Sequence, residues 1–403
     1  MLKQKYFLTD FFILSAEKQP IKSSWRKIEW LRYKSGRVTK RNKYRTIRQE
    51  VIKHDFFILP INNKAGNIES MNNQRSIYLD VIRVIACMMV IIMHAPIPGT
   101  GAESHGPFLV LISYLTAPCV PLFFMVSGSL LLPCKKEVTA INYLKKRIGK
   151  VVGPTIAFSL FYTAINESTN WSISILSIPF SAQGHGILWF MYTLIGLYLL
   201  VPIISPWIRQ TSKRELEIYL LLWIITQCYP YLSLLLEINS SNTGILYYFT
   251  GYVGYFLLGY YLNRYPVSLK LLLPLAILML PLPLLNKIFE WNLDFYSAFW
   301  YLSAPVAIIT ATWFVGIKRL CETFVFNIRL STISNLSFGI YLIHIFIMRT
   351  LLWNWSVITE IPNYYLQTVI IAVFTFVGSY IVCRIISCMP YSQYVIGYTE
   401  RNK

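Results

Sequence analysis

Charged residues are scarce in this sequence. Asp, Glu, Lys and Arg make up 14% of its 403 residues, whereas a soluble domain usually contains about 25%. Hydrophobic residues make up 55% of the chain and aromatic residues 16%. This composition excludes an ordinary soluble domain and predicts an all-α, polytopic membrane protein.

Cysteine motifs are missing as well. None of the seven cysteines forms a CxxC pair, and most of them lie in or beside apolar runs. Cysteines in such positions are typical of small buried hydrophobic side chains. The pattern therefore predicts neither a metal site nor a disulfide framework.

Acidic residues are few, so the chain carries a net charge of +19. Residues 1–70 contain 16 Lys and Arg against 6 Asp and Glu, and much of the remaining excess lies in short loops. A membrane protein concentrates basic residues on its cytoplasmic side, so this excess does not indicate nucleic-acid binding. We interpret residues 1–75 as a basic cytoplasmic extension that lies on anionic lipid or is disordered, or as a mis-assigned start upstream of Met71.

Ten apolar segments follow, each close to the roughly 20 residues that a membrane-spanning helix needs. Their approximate bounds are 77–97, 108–132, 148–166, 186–206, 216–236, 244–263, 267–286, 296–316, 333–353 and 365–388. Three prolines in the seventh segment predict a kink, so that segment is either a span or a re-entrant element. We expect a bundle of about ten transmembrane helices over 76–390 and a short cytoplasmic tail over 391–403.

The basic residues of the connections predict the orientation of this bundle. One set of alternate connections carries fourteen of them, whereas the other set carries Lys287 alone, with Arg349 near a helix end. Basic loops mark the cytoplasmic side, so both termini are expected there. The fourteen are Lys135, Lys136, Lys145, Lys146, Arg147, Lys150, Arg209, Lys213, Arg214, Arg264, Lys270, Lys318, Arg319 and Arg329.

The first apolar segment, YLDVIRVIACMMVIIMHAPIP, contains the ionisable residues Arg83 and His94. An ionisable residue inside a membrane helix is costly, and it is a functional-site hypothesis by default. The two positions are eleven residues apart, which corresponds to three helical turns plus about 20° and to about 16 Å along the axis. Both side chains are therefore expected on one face, either as parts of a site or as satisfied polar residues of a packed bundle.

Two later motifs add candidate residues on the second and third segments. In PLFFMVSGSLLL, Ser127 and Gly128 form a small patch that allows close approach by a neighbouring helix or by a ligand chain. In YLKKRIGKVVGP, the basic side chains of Lys145, Lys146 and Arg147 either bind phosphates or only determine topology.

Two further motifs lie near the fourth and ninth segments. In LWFMYTLIGLYLLVP, Trp189 and Tyr192 fit an interfacial aromatic belt as well as a substrate pocket. In LSFGIYLIH, Tyr341 and His344 lie inside a predicted helix, where a histidine is either hydrogen-bonded structure or part of a site.

Taken in order, these segments resemble the acyltransferase-3 family, the integral-membrane O-acyltransferases of bacterial surface polysaccharides. The resemblance covers residues 76 to about 390 and includes Arg-x10-His, FFMVSG, KKRIGKVVGP, GILWFMYTLIGLYLLVP and LSFGIYLIH. The LWFMYTLIGLYLLVP form is similar to the branch that O-acetylates enterobacterial common antigen. In one departure from the family pattern, we expect no appended periplasmic hydrolase-like domain in this sequence.

The resemblance implies a multi-pass enzyme of the bacterial inner membrane that uses an acyl-CoA donor, usually acetyl-CoA, and needs no bound cofactor. The implied acceptor is a sugar hydroxyl on a cell-surface polysaccharide or a lipid-linked glycan. The resemblance assigns catalysis to His94 and gives Arg83 a donor-binding or structural role.

Imidazole suits general-base catalysis because its pKa lies near working pH. Alternatively, His94 itself accepts the acyl group and passes it on. Donors to the oxyanion could come from Tyr192, Tyr341, Trp189 or Ser127.

Two other classes of function remain open. One is a transporter or flippase of a glycan intermediate, against which the lack of a detectable inverted repeat argues. The other is a non-catalytic membrane partner in which the motif is retained as structure. Thioester consumption by the membrane fraction separates the enzyme from both alternatives.

Overall fold

The computed structural model describes residues 77–98, 102–134, 139–165, 175–180, 188–237, 244–323 and 330–400. All regular secondary structure in these ranges is helical, which confirms the predicted all-α class. The expected N-terminal extension, 1–75, lies outside the described residues, as do residues 401–403 of the expected tail.

The helices are numbered here in chain order over the described residues. The first eight are α1 (Ile77–His94), α2 (Ala102–Thr116), α3 (Cys119–Leu131), α4 (Ala140–Ile165), α5 (Trp189–Gln210), α6 (Lys213–Gln227), α7 (Tyr229–Leu236) and α8 (Val253–Arg264). The others are α9 (Leu269–Met279), α10 (Leu282–Ile288), α11 (Phe295–Ala298), α12 (Ala304–Thr323), α13 (Ser331–Phe346), α14 (Ser356–Thr359), α15 (Tyr364–Ser387) and α16 (Gln393–Ile396). A 3₁₀ helix, Gly244–Phe249, precedes α8, and a π-helix, Ile347–Leu352, continues α13.

Seven helical stretches of the described residues are long and apolar enough to cross a membrane, which confirms a polytopic membrane protein. The pair α6 and α7, bent by 55°, makes eight if it counts as one span. Two of the ten predicted segments are shorter as helices. The apolar part of α4 is Gly149–Ile165, and the sixth segment is divided between the 3₁₀ helix and the 12-residue α8. The count of ten stays a prediction.

The prolines of the seventh predicted segment interrupt it as expected. Helix α9 contains Pro274 and ends at Met279, and α10 begins at Leu282 with Pro281 at its N-cap. Proline removes a backbone donor and clashes with the preceding turn, which accounts for the break. Despite it, Leu269–Ile288 qualifies as one candidate span.

Helix α1 lies in the middle of the bundle, where it packs against α2, α3, α12, α13 and α15. Most of its apolar side chains are buried in these contacts. Helices α3 and α8 also pack closely, and both contribute a glycine to the contact. A Cβ built at Gly128 would overlap the backbone of Phe256, and one built at Gly259 would overlap that of Met125. Small residues at helix crossings permit such an approach in membrane proteins.

Candidate active site

The two ionisable residues of α1 line two different cavities, one near each end of the helix. His94, the last residue of α1, lines a cavity of about 420 Å³. Arg83, in the second turn of α1, lines another cavity of about 410 Å³. We call them the His94 cavity and the Arg83 cavity. Both volumes are in the range of about 300–1,000 Å³ that is usual for ligand pockets.

The His94 cavity has an aromatic wall and one permanent cation. Its lining side chains come from several helices and connections, and they are Val90, His94, Val120, Trp189, Tyr252, Trp300, Tyr301, Tyr341, Ile345 and Arg349. The ring of Trp189 lies 5.5 Å from that of Tyr252 and 5.6 Å from that of Tyr301. Indole and phenol groups combine apolar faces with hydrogen-bond donors, so this wall can both hold a sugar ring and donate to an oxygen.

Arg349 reaches the His94 cavity from the π-helix that follows α13. Such helical irregularities are frequent at functional sites. The guanidinium also lies 5.5 Å from the ring centre of Trp353. A permanent positive charge beside His94 is suited to an anionic group of a ligand or to an oxyanion that forms during a reaction.

His344 is buried on α13 behind the His94 cavity. Its side chain is 0% exposed, and its ring centre lies 5.7 Å from that of His94. Its Nδ1 is 2.5 Å from the carbonyl oxygen of Tyr341, whereas its Nε2 has no hydrogen-bond partner among the described residues. His344 is thus the neighbour of His94 rather than a lining residue of the cavity.

The Arg83 cavity is polar and basic. Its charged lining residues are Arg83 on α1 and Arg147 and Lys150 on α4, and no acidic side chain lines it in the described part of the chain. Ser127, Tyr198, Ser334, Asn335, Ser337 and Tyr398 supply polar groups. Three cations with hydroxyl and amide groups form a suitable site for phosphate.

A buried carboxylate next to Arg83 stabilises this end of α1. The Oδ1 atom of Asp80 accepts a hydrogen bond of 2.6 Å from the Ser334 hydroxyl and lies 3.8 Å from a guanidinium nitrogen of Arg83. Asp80 and Arg83 are three residues apart and therefore neighbours on one helical face. The hydrogen bond between Ser334 and Asp80 links α13 to α1, and Ser334 lines the Arg83 cavity.

Tyr341 lines both cavities. Its ring lies 5.0 Å from that of Phe190, which lines the Arg83 cavity. The two side chains therefore stand at the boundary between the two spaces. A molecule that occupied both cavities would pass them.

The structure distributes the predicted site residues unevenly. Trp189 and Tyr341 join His94, whereas Ser127 and Arg147 join Arg83. Tyr192 lies elsewhere: its hydroxyl donates a 2.6 Å hydrogen bond to the carbonyl oxygen of Ile178, and its ring lines a third, mainly apolar cavity.

Of three more predicted residues, two line neither cavity and the third has a side chain outside the described part of the structure. Gly128 lies at the crossing with α8, so its position favours helix packing over ligand contact. Lys145 is exposed on α4 and lines neither the His94 nor the Arg83 cavity. The side chain of Lys146 is outside the described part of the structure.

Several lining residues are absent from the sequence-based set, namely Tyr252, Trp300, Tyr301, Arg349 and Lys150. Arg349 has a recognisable signal, because it and Lys287 are the two basic residues named on the side of the predicted topology that is poor in them. Lys150 lies in the same basic motif as Arg147, one helical turn later. The aromatic residues have no local signal, since they come from connections whose positions depend on the fold.

Comparison with known proteins identifies the family of the chain. No curated protein and no solved structure matches the chain significantly. A family model described as an acyltransferase domain matches residues 76–386. This match spans most of the chain and all helices from α1 to most of α15, so the chain belongs to the acyltransferase-3 family of membrane acyltransferases.

Proposed function

We propose that the protein transfers an acyl group, most simply acetyl, from acyl-CoA to a hydroxyl of a cell-surface glycan or its lipid-linked precursor. The observation that carries this proposal is the pair of cavities along α1. One cavity offers three cations and the other offers an imidazole among aromatic groups, and Tyr341 borders both. A basic donor site and an aromatic acceptor site on opposite ends of one helix fit a reaction between a cytosolic donor and an external acceptor.

The Arg83 cavity suits the donor. The phosphates of CoA are anionic, and Arg83, Arg147 and Lys150 can bind them through charge-assisted hydrogen bonds. The pantetheine arm of CoA is long and thin, and it separates the phosphates from the thioester. In the proposed complex this arm passes Tyr341 and Phe190 and brings the thioester to His94.

The His94 cavity suits the acceptor and the chemistry. A sugar hydroxyl attacks the thioester carbonyl while its proton moves to a nitrogen of His94, which gives a tetrahedral intermediate. The C–S bond then breaks, and the CoA thiolate takes up that proton from His94 as it leaves, which restores the neutral imidazole. Tyr252, Tyr301 and Arg349 line the same space and can donate to the oxyanion.

In a second version of this mechanism, His94 attacks the thioester itself and then passes the acyl group to the sugar. Both versions need an unprotonated nitrogen of His94 that faces the cavity. They differ in whether an acylated protein exists before the acceptor is added. Rapid quenching after mixing with labelled acetyl-CoA alone separates them, because only the second version leaves label on the protein.

The proposed sidedness places the Arg83 cavity at the cytoplasmic face of the bacterial inner membrane. Arg147 and Lys150, which belong to the fourteen predicted cytoplasmic residues, line this cavity. Lys318, from the same group, lies 5.9 Å from the ring centre of Tyr78 in the first turn of α1. This grouping of basic side chains supports the orientation expected from the positive-inside rule.

The test of this function is transfer of label. Membranes that contain the protein are incubated with acetyl-CoA labelled in the acetyl group, and label is then measured in the glycan and glycolipid fractions. We expect transfer that depends on the protein, and mass spectrometry of surface glycans with and without the gene then identifies the sugar. The enterobacterial-common-antigen type of polysaccharide is the first acceptor to test. Release of free CoA without any acylated glycan or glycolipid would contradict the proposal.

A further inference from the structure

His344 is an internal histidine whose hydrogen-bonding state follows from its surroundings. The carbonyl oxygen of Tyr341, 2.5 Å from Nδ1, can only accept a hydrogen bond, so Nδ1 carries the hydrogen. In the neutral imidazole Nε2 then presents a lone pair. This lone pair is buried and has no partner among the described residues, although buried polar groups are nearly always hydrogen-bonded.

His94 is close enough to supply the missing hydrogen. In a hydrogen-bonded pair of imidazoles, an N···N distance of about 3 Å and about 1.1 Å from each nitrogen to its ring centre give ring centres roughly 5–5.5 Å apart. The observed distance is 5.7 Å, and the planes are tilted by 35°. Hydrogen bonds of catalytic groups are often long without substrate and shorten in the reacting complex.

We propose that His344 is a positioning residue for His94, which extends the function proposed above and depends on it. In this arrangement an N–H of His94 donates to Nε2 of His344, and the other nitrogen of His94 stays unprotonated and faces the cavity. A backbone carbonyl fixes His344, and His344 in turn fixes the tautomer and the ring orientation of His94. The arrangement has the logic of a catalytic triad, with a neutral imidazole in the place of the carboxylate.

The proton balance of this arrangement is simple. When the sugar hydroxyl loses its proton, the O–H bond breaks and an N–H bond forms on the cavity side of His94. The second N–H of His94 continues to donate to His344, which gains and loses no proton. His344 therefore needs no exchange with water, in keeping with its complete burial.

Two substitutions separate positioning from packing. His344→Leu fills the buried space but removes the acceptor, whereas His344→Gln retains a side-chain carbonyl oxygen that can accept from His94. We expect His344→Leu to lower kcat by on the order of 10²-fold, within the range of general-base effects, with unchanged KM for acetyl-CoA and for the glycan. His344→Gln should recover at least about tenfold of this loss. Equal rates for the two variants at matched abundance would overturn the proposal, as would a change confined to KM.

A second measurement tests whether His344 acts through His94. In a His94→Ala background, His344→Leu should cause no further loss of the residual transfer, because residues that act as a unit are not additive. A further loss equal to that of the single variant would overturn the proposal. If His344→Leu accumulates poorly, His344→Met replaces it in both tests, since a thioether is only a weak acceptor.

The results also distinguish this inference from the function on which it rests. If His94→Ala retains transfer, the proposed role of His94 fails. If His94→Ala abolishes transfer but the Leu and Gln variants of His344 behave alike, only the positioning role fails.

Discussion

Arg83 and His94 lie on one helix and line two different cavities. Their spacing of eleven residues corresponds to about 16 Å along the axis, which is enough to bring them to separate sites. The first helix therefore acts as a common wall for both cavities. A substitution on α1 is expected to affect donor binding near its start and chemistry near its end.

The ends of the described chain meet at the Arg83 cavity, which bears on topology. Gly397 and Tyr398 line this cavity together with Arg83, which lies six residues after the start of α1. Such an arrangement favours an even number of crossings, so at least one element beyond the seven long apolar helices should complete a span.

We expect both ends of the chain on the cytoplasmic side of the membrane. A fluorescent protein fused after Lys403 should be fluorescent, and alkaline phosphatase fused there should be inactive. The reverse pattern would contradict this topology.

Transfer activity should be sensitive even to the replacement of Arg83 by lysine. Its guanidinium can bind two oxygens at once and lies beside the carboxylate of Asp80, whereas an ammonium is a point charge with a different reach. We expect Arg83→Lys to reduce transfer by about tenfold or more while the protein still accumulates in the membrane. Arg209→Lys is the matched control, because Arg209 donates to the carbonyl oxygen of Cys134 and lines neither cavity. Loss of the protein itself in Arg83→Lys would make Arg83 structural.

The basic residues of α4 should differ in their effect on the donor. Arg147 and Lys150 line the Arg83 cavity, whereas Lys145, two residues before Arg147 and five before Lys150, does not. We expect Arg147→Gln and Lys150→Gln each to raise the KM for acetyl-CoA by about tenfold, which corresponds to about 1.4 kcal/mol, with a smaller change in kcat. Lys145→Gln should leave both constants unchanged. If all three variants kept the KM for acetyl-CoA of the unsubstituted protein, the cluster would be a determinant of topology only.

The sequence allowed much of this arrangement to be predicted, because local patterns report local features. The first span was expected at 77–97 and the helix is Ile77–His94, since apolar content sets the length of a membrane helix and Pro96 follows its end. The basic motif predicted Arg147 as a candidate phosphate ligand because its charge can bind phosphate. The structure places Arg147 at the Arg83 cavity beside two other cations, so the same reason still applies. Arg349 was visible as an exception to the charge bias, but nothing local linked it to His94.

What the sequence could not provide are the contacts between distant segments. From the sequence, the patch at Ser127 and Gly128 could contact either a ligand or a neighbouring helix. The structure places the backbone of Phe256 on α8 against Gly128, which indicates helix packing at this position. Tyr192 follows Trp189 by three residues, yet its hydroxyl is bonded to the connection around Ile178 and not to the His94 cavity. Choices of this kind depend on which helices are neighbours, and local periodicity does not contain that information.

Gly128 should be sensitive to a single added methyl group. A Cβ at this position would overlap the carbonyl group of Phe256, which is backbone and cannot rotate away. We expect Gly128→Ala to lower the free energy of unfolding by about 1–3 kcal/mol, as overpacking usually does, and to reduce the melting temperature in detergent. Gly316→Ala is the control, since a Cβ there meets no atom within 4 Å. An unchanged melting temperature together with a higher KM would instead indicate contact with a ligand.

His94 should be the residue on which transfer depends. It ends α1 at the cavity that also contains Arg349 and the aromatic wall, and the hydrogen bond proposed above to His344 uses only one of its two ring nitrogens. General-base catalysis contributes on the order of 10²–10⁴-fold, so His94→Ala should lose most of the transfer activity. His94→Gln should not restore it, because an amide can form a hydrogen bond but cannot take the proton. This failure of Gln at position 94, set against the expected recovery by Gln at position 344, separates the base from the residue that orients it.

The abundance of the His94 variants must be matched to that of the unsubstituted protein, because removal of a buried polar group can cost about 1–3 kcal/mol of stability. Near-normal transfer by His94→Ala together with a complete loss in His344→Ala would mean that the catalyst is the other histidine of the pair.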